Sequence, residues 1–234
     1  GGLAVTSGSA SFNIPTYAPT NLTSSVTLLS AAGENSVLDL SSTTEFNDSF
    51  NGNSNTQTHT ITTSNGGVIN LSGVERITLP EDDEDRLNFV VDDTGSQVDL
   101  SSLKRVEGTG LIIFDVEESG NILLSTLESL ENGRFNLTSN GTVTIDSANL
   151  DSLNQTTFNL SGGAQLIADS EEAAATYNTS GFTGGGTIIL VEGEGTTLNL
   201  SSLANLDSNF NGNSNVQTHT ITTSNGGVIN LSGV

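Results

Sequence analysis

The chain has 234 residues with no cysteine, methionine or tryptophan, and 27 acidic residues against five basic ones give a net charge of −22. Such a charge repels nucleic acid and anionic membranes. No apolar run nears the roughly 20 residues of a membrane span, and no disulfide can staple the fold. The apolar residues are mostly Leu, Ile and Val among Gly, Ser, Thr and Asn, a mixture for short strands and tight turns rather than helix bundles.

From the N-terminus, the first stretches recur later in the chain. Thr16-Tyr17, Thr27-Leu28-Leu29, Gly33-Glu34, Leu38, Leu40 and Ser41-Ser42 return as Thr176-Tyr177, Thr187-Ile188-Ile189, Gly193-Glu194, Leu198, Leu200 and Ser201-Ser202, all at one fixed offset. Residues 50–74 return almost unchanged at 210–234, with Thr56 against Val216 as the one difference. Residues 1–74 therefore read as a copy of 161–234, and the chain as one and a half units of a long repeat of about 160 residues. A chain that starts and stops inside a unit reads as a window on a longer array.

A shorter pattern runs inside the long one: a Gly, alternating apolar residues, then Ser or Thr. It is seen at Gly67–Ser72, Gly95–Ser101, Gly120–Ser125, Gly141–Ile145, Gly163–Ile167, Gly186–Leu190 and Gly227–Ser232. Several copies continue into Ser-Ser-Leu and a further apolar residue, as at Ser101-Ser102-Leu103 with Val106, and Ser201-Ser202-Leu203 with Leu206. Leu40, Leu71, Leu100, Leu124, Ile145 and Ile167 are taken as equivalent anchors of successive coils, as are Leu200 and Leu231. Two or three short strands per step, with Gly at the corners, are the mark of an all-β fold. The expectation is one continuous right-handed parallel β-helix over residues 1–234, with coils of roughly 21–31 residues. Period-two alternation sends Ile69 and Leu71 inward and Asn70 outward. Asp39, Asn70, Asp99, Asn136, Asn159, Asn199 and Asn230 are placed at one outward position, and His59 and His219 are read as outward polar residues.

Two longer stretches look like insertions. Thr43–Asn65 and its copy hold a turn-rich Phe-Asn-Gly-Asn-Ser-Asn bulge. Pro80–Gly95 packs seven acidic residues around Leu87–Val91. Asp82, Asp83, Asp85, Asp92 and Asp93, with Glu81 and Glu84, offer the hard oxygens that Ca²⁺ takes in sets of six to eight. The EF-hand spacing and the Gly-Gly-x-Gly-x-Asp repeat are both absent, so a solvated loop that guards a strand edge stands beside the calcium reading. No nucleophile elbow, phosphate loop, zinc spacing or dinucleotide fingerprint is found.

The Ser-Ser-Leu runs and Phe158-Asn-Leu-Ser-Gly-Gly-Ala-Gln-Leu166 resemble repeats of giant secreted bacterial β-solenoid proteins of the adhesin and surface-filament type. The resemblance implies an exported, cell-surface or extracellular protein and carries over no catalytic residue. The expected function is a structural rod, fibre or adhesin stalk with no enzyme activity. The expected partners are itself, head to tail and side by side, and cell-surface glycans, with no nucleic acid and no membrane insertion. No cofactor is required; calcium is the one left open. Two alternatives are a carbohydrate-processing β-helix enzyme, which needs a cleft lined by basic or aromatic residues or by paired carboxylates, and an ice- or ligand-binding solenoid. The latter needs the Thr58, Thr60 and Thr62 alternation to continue over successive coils.

Overall fold

The computed structural model of the protein describes residues 2–20, 22–52, 55–146, 150–169, 174–182, 184–208 and 217–234. Every strand pair it contains is parallel, and the strands form three sheets of nine, nine and eight strands. The chain visits the sheets in turn. The first coil uses Leu3–Val5, Ser9–Ser11 and Thr16–Tyr17, and the next uses Val26–Ala32, Val37–Asp39 and Glu45–Asn47. Eight coils of this kind are followed by His219–Ser224 and Val228–Asn230, which belong to a ninth. No helix occurs among the described residues. This is the expected β-solenoid.

The register fixes the coils. Down the second sheet, Ala10, Leu38, Ile69, Val98, Ile122, Val143, Leu166, Leu198 and Ile229 are successive partners. The coils are long at first, shortest between Ile122 and Val143, and long again from Leu166 to Leu198. Leu38 to Leu198 is one full offset of the long repeat and spans six of these steps. Two alignments made on sequence change. Ile145 pairs with Ala168, and Ile167 pairs with Thr144 on the outward side; a small inward Ala carries little hydrophobic signal beside an outward Ile. Gly186–Glu192 opens like a second-sheet strand but lies in the first sheet, paired with Thr157–Ser161.

The core runs the length of the stack and is made of inward residues from all three sheets. Along the first sheet, Phe89, Phe114, Phe135 and Phe158 are register partners. Their rings stack at centroid separations of 5.5, 4.9 and 5.4 Å. Tyr177 ends the column edge-on to Phe158 at 6.0 Å, and its buried hydroxyl donates to the Thr156 carbonyl at 2.6 Å. Burial holds that phenol well above the usual tyrosine range.

The three corners differ. The first, between sheets one and two, is short and repeatedly adopts positive φ, as at Asn35, Asn65, Asp93, Glu118, Asn140 and Asn225. The glycine that follows is needed for space. A Cβ on Gly67 would lie 2.2 Å from the Ala31 carbonyl oxygen, and one on Gly141 would lie 2.3 Å from that of Val116. The second corner explains Leu-Ser-Ser-Leu. The amides of Thr43, Val74, Leu103 and Leu203 donate to the carbonyls of Leu40, Leu71, Leu100 and Leu200, closing four-residue turns with both outer side chains buried. Asp39, Asn70, Asp99 and Asn199 precede those turns, Asn230 precedes a like turn in which the Val234 amide donates to the Leu231 carbonyl, and each of the five accepts the amide two residues on. That is the Asx-turn geometry that favours these residues at turns. Asn136 and Asn159 are not in this column. They belong to the first sheet, where they pair with each other.

The third corner, between sheets three and one, sets the coil length. It covers 18–25, 48–57 and 79–85 after the first three coils, then only 108–110, 132 and 155–156. After the last two complete coils the flanking strands are again farther apart in sequence, Asn178 from Gly186 and Asp207 from His219. The two stretches that looked like insertions carry their coils' own strands, Glu45–Asn47 with Thr58–Ser64, and Arg86–Val91. The extra length is confined to 48–57 and to the residues just before Arg86.

Candidate functional site

Polar and charged side chains gather at the third corner, where consecutive long connections stack. His59 is an inward residue, wholly buried, and not the outward one expected from the Thr alternation. It is inward because Thr58–Ser64 keeps strict period-two burial with His59, Ile61 and Thr63 facing in. The equally buried Asp48, at the end of the preceding strand, takes its Nδ1 at 2.6 Å through Oδ1. Phe50 stacks on the imidazole at a centroid separation of 3.7 Å. Asp48 Oδ2 and His59 Nε2 have no hydrogen-bond partner among the described residues. Burial pushes the Asp48 carboxyl above the usual carboxylate range; the bond and charge of His59 oppose the shift and Asp85 adds to it.

The five candidate calcium ligands do not lie together. Asp85 is buried, and its two oxygens accept the amides of Gly52 at 2.7 Å and Gln57 at 2.8 Å. It therefore clamps both limbs of the connection in the coil before. Gln57 in turn accepts the amide and hydroxyl of Ser25, one coil earlier. Asp82 makes a local turn with the Glu84 amide at 3.1 Å, and Asp83 is exposed. Asp92 and Asp93 stand at the other end of the strand Arg86–Val91. About 17 Å of extended chain separates the two ends, at roughly 3.3 Å per residue.

Among the described residues, one group of three acidic side chains has ligand atoms within 4.8 Å of one another: Asp92, Asp93 and Glu118. Glu118 comes from the first corner of the next coil, a contact that only the stacking register creates. One oxygen of Asp92 accepts the Asp93 amide and one of Asp93 accepts the Asn65 amide. The remaining oxygens are hard donors of the kind Ca²⁺ takes. The second repeat's bulge, Phe210 to Val216, lies outside the described residues.

Other surfaces are simpler. On the third sheet Arg76 pairs with Glu45, Lys104 with Glu75 at 3.1 Å and Arg105 with Glu128 at 3.3 Å, each pair crossing between coils. Beside Phe50 lies an open groove of about 440 Å³, lined by Pro19, Thr20, Leu22, Thr23, Asn47 and Ser49, none of them charged. Thr60 and Thr62 have Thr27 and Ser30 on one side but Asn88 and Val90 on the other, so the Thr alternation does not extend into a flat array over successive coils. The chain matches no protein-family model, no curated protein and no solved structure.

Proposed function

We propose that the chain is a structural rod segment of an exported bacterial fibre or adhesin stalk, built from tandem copies of the long unit. The observation that carries this reading is the register. Leu38 and its sequence equivalent Leu198 occupy the same sheet and the same inward column, six coils apart. A repeat that closes on a whole number of coils is added to a stack without a break in the parallel ladders. Units joined head to tail, within one chain or between copies, make a contact that does not close on itself, and so an open filament.

The third corner supplies a lateral feature with the same period. Its long connections follow the first three coils, its short ones the next three, and the long ones return after the seventh and eighth. That alternation is the proposed place of contact between rods. Cell-surface glycans are the other proposed partner, supported by the charge-free groove beside Phe50 in a chain otherwise rich in acid. Retention on a glycan array tests that contact, and an array with no retained glycan removes it. No cofactor is part of this reading, and no catalytic residue is assigned.

Electron microscopy of the native full-length protein tests the rod. Six coils at about 4.8 Å each predict a thin fibre with an axial repeat of roughly 29 Å. Discrete globular particles would overturn the reading.

A further inference from the structure

We propose that Asp48 and His59 form a proton-operated latch. While the pair holds its shared proton, Phe50 and the connection behind it are fixed against the core; loss of that proton at higher pH releases them.

The geometry supplies each part. The two side chains are wholly buried and 2.6 Å apart, and each leaves one polar atom without a partner among the described residues. A neutral pair sharing one proton satisfies the 2.6 Å contact with no net charge. Without that proton the core holds an aspartate anion with one bare oxygen, which costs far more than a buried neutral pair. The imidazole is also the surface on which Phe50 stacks, so strain at the pair reaches the chain that leads to Gly52. The other end of that connection returns at Gln57, and the Asp85 carboxylate binds both.

Of the groups around the pair, one carboxylate works directly against the anion. Asp85 of the following coil is a second negative charge. Tyr17 of the preceding coil is held above the usual tyrosine range, chiefly by burial and then by Asp48, so it stays neutral. Glu45, on the strand before Asp48, is drawn outward to Arg76. Arg86, next to Asp85, lies on the outer side of its strand and is only half-buried. Burial raises the Asp48 carboxyl above its ordinary value of 3.8. A raised acid binds more protons folded than unfolded between the two values. Its stabilisation is therefore full below 3.8 and disappears as pH rises through the folded value.

The test is hydrogen exchange of segment 49–58 in the full chain across a pH series, corrected for intrinsic rates. The expected result is that protection falls by up to about tenfold per pH unit through one window and that Asp48→Asn abolishes the step. No step, or one unchanged in Asp48→Asn, overturns the latch. If Asp48→Asn does not fold, the decision passes to the imidazole ¹⁵N shifts of His59 in the unaltered chain. A shift that follows the loss of protection supports the latch, and a flat profile through that window overturns it.

Discussion

A carboxylate that accepts two backbone amides is hard to replace. Asp85 does so from one coil onto the coil before, at 2.7 and 2.8 Å. Bonds to a charged acceptor contribute about 1.5–3 kcal/mol each, and the orphaned amides add a desolvation cost. Asp85→Ala is expected to destabilise by roughly 3 kcal/mol, read from the midpoint of denaturant unfolding, whereas Asp82→Ala, at a local exposed turn, stays within about 0.5 kcal/mol. Equal effects from the two would mean that Asp85 is no clamp. Tyr177→Phe removes one buried hydrogen bond to Thr156 and leaves the ring in place, for an expected loss of about 1 kcal/mol. The Asp85 role is nearly invisible in the sequence. The four residues before it, Glu81 to Glu84, are all acidic, and only the stacking register tells which carboxylate turns inward. His59 was hidden for a similar reason. Among alternating Thr residues either phase looks polar, and the phase is decided by Ile61 and by the pairing with Leu87 in the next coil.

At the scale of the strand, one ring column organises the middle of the first sheet. Phe114 has an aromatic neighbour on each side, so Phe114→Ala removes two stacks and leaves a cavity that close-packed strands cannot collapse around. The expected cost is about 3–5 kcal/mol, while Phe114→Leu keeps most of the volume and loses less. Calorimetry on the two variants checks the order. Gly67→Ala probes the corner rather than the core. Its Cβ would meet the Ala31 carbonyl oxygen at 2.2 Å, so the strand Val68–Asn70 must shift against the coil below. A melting temperature equal to that of the unaltered chain would contradict the close approach. Strands and corners were legible because period-two alternation and glycine spacing are local. The assignment of each strand to a sheet was not. Gly186–Glu192 and Gly163–Ile167 open alike but belong to different sheets, and the choice depends on the corner that precedes each. The partial carboxylate cluster was half visible: Asp92 and Asp93 are adjacent in sequence, but Glu118 reaches them only because the register of successive coils brings the two first corners into one column.

Over the whole molecule, charge is distributed unevenly along the axis. All five basic residues lie between Arg76 and Arg134, and the flanking repeat copies have none. The three ion pairs on the third sheet involve side chains that are 44 to 60% exposed on the basic partner, and such pairs contribute about 0–1 kcal/mol each. They cannot offset a net charge of −22. Self-repulsion along the stack is therefore the larger electrostatic effect, and salt should relieve it, because the Debye length falls to about 10 Å at 0.1 M. The melting temperature is expected to rise with sodium chloride and level off once charges on neighbouring coils are screened. Calcium separates screening from binding. At matched ionic strength, screening alone predicts equal midpoints in calcium and in sodium, and that is the expected result for a solvated acidic edge. An ion held by Asp92, Asp93 and Glu118 would add a linkage contribution. With free calcium at about ten times its dissociation constant this would be about 1.4 kcal/mol, or roughly 3–6 °C for a chain of this size. Melts of the unaltered chain and of Glu118→Gln, in both salts and with chelator, decide between them. A calcium excess that vanishes in Glu118→Gln would overturn the screening account and place an ion where two successive first corners meet.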